Sequence, residues 1–143
     1  MSIAQNVAAY RRWFDEGCSQ GNVDIADVLY APDYVSHSLP PDLPPTREGL
    51  KTFIRALREG MPDLRCPVEQ VVAEGDRVAG RFSLVGTHTG TLLGVPATGR
   101  AVHVGVMVIG RFDETGRWVE DWNCWDQIGL LQQIGVIPVP QPA

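Results

Sequence analysis

The chain predicts an α+β fold: a curved antiparallel sheet wrapped around N-terminal helices, with an internal pocket. Three observations predict it. Up to Gly60, apolar residues recur at three- and four-residue steps, the period of an amphipathic helix. From Leu64 onward, β-branched runs alternate with glycine- and aspartate-rich turns, the signature of an antiparallel meander. Finally, Trp118 to Gly135 (WVEDWNCWDQIGLLQQIG) begins as an alternating strand and ends as an apolar helical segment. Each helix stripe needs a sheet face. A tightly twisted sheet cannot fill its own concavity with short side chains, so a pocket between the layers is expected.

Ile3 to Cys18 reads as the first helix, with Ile3, Val7, Tyr10, Phe14 and Cys18 on one side. Gln20-Gly21-Asn22 stops it, and Asn22 is placed to cap a second helix over Val23 to Tyr30. Ala31-Pro32-Asp33 breaks that helix, and Tyr34 to His37 is a short extended piece. Four prolines between Pro40 and Pro45 make a rigid surface loop. Arg47 to Gly60 is the third helix, with Leu50, Phe53, Ile54 and Leu57 as its stripe and Lys51 elsewhere. About four strands follow: Leu64–Glu74, Arg77–His88, Ala101–Phe112 and the strand opening at Trp118. Asp126 is a natural N-cap for a last helix to about Ile134.

At 143 residues the chain reads as one domain, 1–143, large enough for a core and a small pocket. A net charge of −5 and the lack of a basic run argue against nucleic acid or an anionic membrane surface. No apolar stretch approaches the roughly 20 residues of a membrane span. The N-terminal residues lack a signal peptide's apolar core, so a cytoplasmic location is expected. Cys18, Cys66 and Cys124 are odd in number and form no CxxC pair, which suggests reduced packing residues. No His, Asp and Glu trio has metal-ligand spacing, and no GxSxG, Cys–His signature or phosphate loop is present. We therefore expect no metal.

On the strand from Trp118, the odd positions carry Val119, Asp121, Asn123 and Trp125, and the even positions Trp118, Glu120, Trp122 and Cys124. The odd side, with an acid, an amide and a tryptophan, is a candidate pocket wall. An ordinary buried strand with satisfied polar groups is the alternative. The even side is too apolar to be left in water, so Trp118, Trp122 and Cys124 are expected at a homodimer interface. Among the histidines, His37 is either a loop anchor or a pocket base. His88 reads as a structural residue bonded to its following loop, and His103 as an outer-face residue.

Several segments resemble a known family when taken together and in order: NVDIADVLYAPDYVSH, PPTREGLKTFIRALREGMPDL, GDRVAGRFSLVGTHTG, LLGVPATGR and WDQIGLLQQIG. From about Val7 to Ile137 the chain resembles the SnoaL-like polyketide cyclases (ester cyclases) of the nuclear-transport-factor-like α+β cone superfamily. The resemblance implies a cone-shaped α+β barrel and a homodimer. It also implies a small-molecule substrate closed into a ring by intramolecular aldol condensation, without metal or organic cofactor. In that family a last-strand carboxylate, three residues before the acid that opens the final helix, is the general acid/base. Counting back from Asp126 puts that position at Asn123, and a carboxamide has no titration near neutral pH.

Three readings of this departure stay open. Asp121, about 6–7 Å along the strand on the same face, takes over proton transfer, with Asn123 polarising an oxygen. Alternatively, His37 is the base. Or the pocket binds without catalysing, or catalyses by shape and desolvation alone. The strand Val102–Ile109 adds a second departure. An ungapped alignment puts Val106 and Val108 where the cyclases place polar groups. The turn Asp113–Gly116 is one residue longer than usual, and a slip of one residue reverses the faces. With Val102, Val104, Val106 and Val108 inward, the pocket is unusually apolar and desolvation raises the pKa of Asp121.

The sequence thus supports a cofactor-free cyclase-type enzyme with Asp121, Asn123 and His37 as candidate catalytic residues. Phe14, Trp125, Val106, Val108, Phe53 and Tyr34 are the candidate substrate contacts. A non-catalytic hydrophobic binder, or an isomerase, dehydratase or hydrolase on the same fold, is the competing reading.

Overall fold

The structure, a computed structural model, describes residues 2–140. Helix α1 (Ile3–Arg12) opens with a capping box, Ser2 accepting from the Gln5 backbone and the Gln5 side chain accepting from Ser2. It does not run to Cys18 as an α-helix. Trp13–Ser19 is π-helical, and Gln20 N–H reaches back to the Asp15 carbonyl. The wider turn lays the Trp13 ring over Gly17, where a Cβ would collide with Trp13 Cε3. It also buries Trp13, Phe14, Gly17 and Cys18 together.

The second helix is shorter than its sequence pattern suggests. A 3₁₀ turn (Val23–Ile25) leads into α2 (Ala26–Leu29), and Asn22 makes no side-chain cap. Strand β1 (Tyr30–Ser36) then takes in Tyr30, Ala31 and Pro32, which the sequence suggested as helix end and breaker. Pro32 is tolerated because β1 is an edge strand with irregular pairing between Tyr30 and Val35, so a missing N–H costs no ladder bond there.

Helix α3 (Arg47–Gly60) is capped by Thr46 and buries Leu50, Ile54 and Leu57. Lys51 is buried too, against expectation. Its ammonium lies 2.8 Å from Asp27 and 3.1 Å from Glu48, which compensates the loss of water. The sheet continues with β2 (Val68–Glu74), β3 (Arg77–Thr87), β4 (Ala101–Phe112) and β5 (Trp118–Trp125). Helix α4 (Gln127–Gln133) follows, with Asp126 accepting from Gly129 N–H at 2.8 Å.

The five strands lie in the order β1-β5-β4-β3-β2 in a curved, unclosed sheet. The four later strands pair antiparallel, whereas β1 joins β5 in parallel. Helix α1 packs on β2 and β3, and α3 on β1. Burial alternates strictly along β4, with Val102, Val104, Val106 and Val108 inward, and this decides the face left open by the sequence.

Strand β5 does not alternate strictly. Its pairing with β4 jumps from Arg111↔Glu120 to Phe112↔Trp118, so Val119 is an extra residue in the strand. This bulge turns Trp118 to the same side as Asp121, and both are buried. The expectation that Trp118 covers a subunit interface is thereby overturned. Its ring stacks between Tyr10 (5.2 Å) and Tyr30 (4.7 Å) in the core. It also lies against Gly110, where a Cβ would come within 2.6 Å of the indole.

Candidate active site

The pocket expected between the layers is present. Its non-atom space, open mouth included, is about 640 Å³. Its deep walls are apolar and aromatic: Trp13 and Phe14 from the π-helical turn, Leu50, Ile54 and Leu57 from α3, and Phe82, Val106 and Val108 from the sheet. Its half-buried lining residues mark the mouth, namely Ser38, Leu39, Phe53, Asn123 and Trp125. Phe53 and Trp125 meet there edge to face at 6.2 Å. Among the described residues that line the pocket, Asp121 is the single carboxylic acid, and there is no Lys, Arg or His.

Asp121 lies deep, 5 % exposed, and Tyr34 O–H donates to its Oδ2 at 2.7 Å. Burial pushes its pKa up to about 7. The hydroxyls of Tyr34 and Ser36 and the nearby His37 pull it back down, and Glu120 adds to the rise. The Tyr34 phenol is itself held protonated, first by burial and then by the Asp121 charge, so it stays a donor. Asn123 is two residues along the same inward side, nearer the mouth. Its own N–H is taken by Ser38 Oγ at 2.8 Å.

The structure therefore gathers Asp121, Asn123, Phe14, Trp125, Val106, Val108, Phe53 and Tyr34 around one cavity. It leaves His37 outside. The His37 backbone N–H bonds the Asp121 carbonyl at 3.0 Å, but the ring turns to the outer face of the sheet. There Nε2 lies 2.8 Å from Glu120 Oε2 and the ring stacks on Trp122 at 5.0 Å. The reason is strand alternation: Tyr34 and Ser36 point inward on β1, so His37 points out. The same alternation explains Ser36, which lines the cavity together with Ser38; the sequence reading missed both. The step from Tyr34 to Ser36 was legible in YVSHS once Tyr34–Ser36 is taken as strand, whereas Ser38 lies in the bend just past β1.

His88 is fully buried, with one ring nitrogen 2.9 Å from Thr98 Oγ1 and the other 3.1 Å from the Val95 carbonyl, so it anchors the loop after β3. His103 is on the outer face, 3.1 Å from Ser83 Oγ. Among the described residues no group of three His, Cys, Asp or Glu is arranged to hold a metal ion. No helix there is long and apolar enough to cross a membrane.

Solved structures with the same fold were found in quantity. TsrD from Streptomyces laurentii is 26 % identical with a TM-score of 0.86, covering 96 % of this chain and 99 % of that one. AclR from Streptomyces galilaeus, a candidate hydroxylase, is 28 % identical with a TM-score of 0.85, covering 98 % and 87 %. IdmH from Streptomyces antibioticus, a candidate polyketide cyclase, is 31 % identical with a TM-score of 0.79, covering 92 % and 99 %. No curated protein matches the chain. The sequence model of SnoaL-like polyketide cyclases matches residues 8–134, nearly the whole of the fold described above, and the chain belongs to that family.

Proposed function

We propose that the protein is a cofactor-independent acid/base enzyme that cyclises a neutral, largely apolar small molecule of polyketide type, with Asp121 as its general base. One observation carries this reading: a buried carboxylate whose pKa is raised to about 7, set deep in an aromatic pocket with no counter-charge on its lining. Such a group is ionised in substantial fraction at neutral pH, yet basic enough to take a proton from carbon. It removes the C–H proton next to a carbonyl, and the electron pair moves onto that carbonyl oxygen. The Asn123 carboxamide donates to the resulting enolate oxygen. The enolate carbon then attacks a second carbonyl of the same molecule, and protonated Asp121 returns its proton to the new alkoxide. Phe14, Phe53, Val106, Val108 and Trp125 hold the chain folded, which raises the effective concentration of the two reacting carbons.

The test uses 5-nitrobenzisoxazole, a flat neutral aromatic that a base opens by removing a C–H proton as the N–O bond breaks. The wild-type protein should accelerate its opening, with a rate that rises with pH and levels off above about pH 7. Asp121→Asn should lower the rate by about a hundredfold or more, the usual contribution of a positioned base. Equal rates for the two proteins would sink the enzymatic reading. In that case tryptophan quenching by the same compound, unchanged in the variant, identifies a binder without turnover.

We further propose a homodimer through the outer sheet face. Val72, Met107 and Ile109 are 60 %, 62 % and 44 % exposed, and Trp122 and Cys124 flank them. Light scattering should give twice the 15.7 kDa chain mass. Met107→Glu should return the protein to a monomer, and a wild-type monomer removes the proposal.

A further inference from the structure

We infer that Tyr34 is the positioning residue of Asp121: its hydroxyl occupies Oδ2 and commits the other carboxylate oxygen to the substrate. The role given to Asp121 rests on the function proposed above, whereas the Tyr34–Asp121 link does not. The sequence pointed to Tyr34 only as a wall for the ligand. The structure gives it a second duty, through a 2.7 Å hydrogen bond in a place where water does not compete.

The hydroxyl is held by the fold rather than by a flexible loop. Tyr34 is 1 % exposed and packs edge to face on Tyr30 at 4.6 Å and 71°. Tyr30 stacks on Trp118, and Trp118 on Tyr10. Tyr10 is tied to the sheet by its own hydroxyl, which donates to the Val108 carbonyl at 2.9 Å. An aromatic row therefore runs from α1 to the carboxylate. The parallel register Ser36↔Asp121 brings the two strands together at this point, with Tyr34 and Ser36 on the inward side of β1. The Val119 bulge is part of the device, because it puts Trp118 and Asp121 on one face.

A carboxylate fixed at one oxygen cannot rotate its reactive oxygen away from the bound carbon acid. Because Tyr34 stays protonated, it supports the ionised base without becoming a competing one. The groups that bear on the Asp121 charge are few: the hydroxyls of Tyr34 and Ser36 from β1, Tyr30 at its start, Tyr10 from α1 and, from the outer face of the sheet, His37 just past β1 and Glu120 on β5. Tyr34 is the one with a side-chain bond to the carboxylate at normal hydrogen-bond length.

The test needs no substrate. The carboxyl carbon of Asp121 is followed by ¹³C NMR against pH in wild type, Tyr34→Phe and Tyr30→Phe. Loss of the Tyr34 hydroxyl should move the Asp121 midpoint upward by about one pH unit, a tenfold change in its acid dissociation constant. Tyr30→Phe removes a buried hydroxyl that makes no bond to the carboxylate, and should move the midpoint less. If Tyr34→Phe fails to fold, 3-fluorotyrosine at all three tyrosines preserves shape and makes the phenols better donors. The midpoint should then fall. An unmoved midpoint in a folded Tyr34→Phe or fluorinated protein overturns the inference. A midpoint that moves while the benzisoxazole assay shows no Asp121-dependent rate retains the Tyr34 link and discards the enzymatic reading instead. With both intact, Tyr34→Phe should carry the rate plateau to higher pH along with the midpoint.

Discussion

Glu120 and Asp121 are neighbours in the chain and opposites in environment. Asp121 points into the cavity, where burial lifts its pKa to about 7 and Tyr34 is its hydrogen-bond donor. Glu120 points outward, where hydrogen bonds from His37 and Arg111 hold its carboxyl below the usual range. Two acids of nearly equal intrinsic strength are thus driven apart by one reversal of strand face. The one fitted to exchange protons near neutrality has lost its water and found no cation. The other has both water and cations, and suits a structural ion pair. Pairs separated in this way mark acid/base assignments, which is why Asp121 carries the proposed chemistry.

The widest gap between the two should be in rate. Asp121→Asn is expected to cost about a hundredfold on the benzisoxazole probe. Glu120→Gln should stay within about threefold, since its effect on the site is a long-range charge. A comparable loss in both would mean that the outer ion pair holds the site together, and the distinction drawn here would fail.

Stability should separate them next, and with opposite sign. Asp121 has a folded pKa near 7 against roughly 3.9 unfolded, so the unfolded chain loses its proton first as pH rises. Asp121 therefore costs nothing below about pH 4, lowers stability progressively between about 4 and 7, and has no further effect above. At about 1.4 kcal/mol per pH unit the ceiling of that loss is near 4 kcal/mol. Asp121→Asn keeps the shape and an acceptor for Tyr34 and removes the ionisation. It should raise the melting temperature at pH 8 and change little at pH 4. A variant less stable than wild type at pH 8 would show that the carboxylate is better compensated than its burial implies.

Much of this was legible in the sequence, for particular reasons. Helix α3 announced itself through Leu50, Ile54 and Leu57 at the helical period, and Asp126 as a cap needed only its own neighbours. The inward valines of β4 were narrowed to two registers because strand alternation allows no others. What was hidden depended on long-range pairing. The Val119 bulge, which sends Trp118 into the core, is invisible until β4 is laid beside β5. The edge position of β1, which makes Pro32 acceptable and turns His37 outward, follows from a parallel pairing with a strand over eighty residues away. Local propensity carries no information about either.

The smallest effect expected is that of Glu120→Gln on stability. The pair is not fully exposed, with Glu120 at 23 % and His37 at 41 %, and both ends of the carboxylate are engaged. Solvent screening still limits such pairs, and a loss of about 1 kcal/mol or less is expected at neutral pH. The folded pKa of Glu120 is depressed, so its contribution is present above the unfolded value, roughly 4.3, and disappears as pH falls through the folded one. The cost of the substitution should accordingly vanish in acid. It should also shrink in 1 M salt, where the screening length falls to about 3 Å. The gain from Asp121→Asn should resist the same salt, because ions do not reach a carboxylate 5 % exposed beneath Tyr34. Chemical denaturation of the two variants by urea at low and high salt reads both responses. A salt-insensitive Glu120 would place that acid in the buried class and close the gap between the two faces of β5.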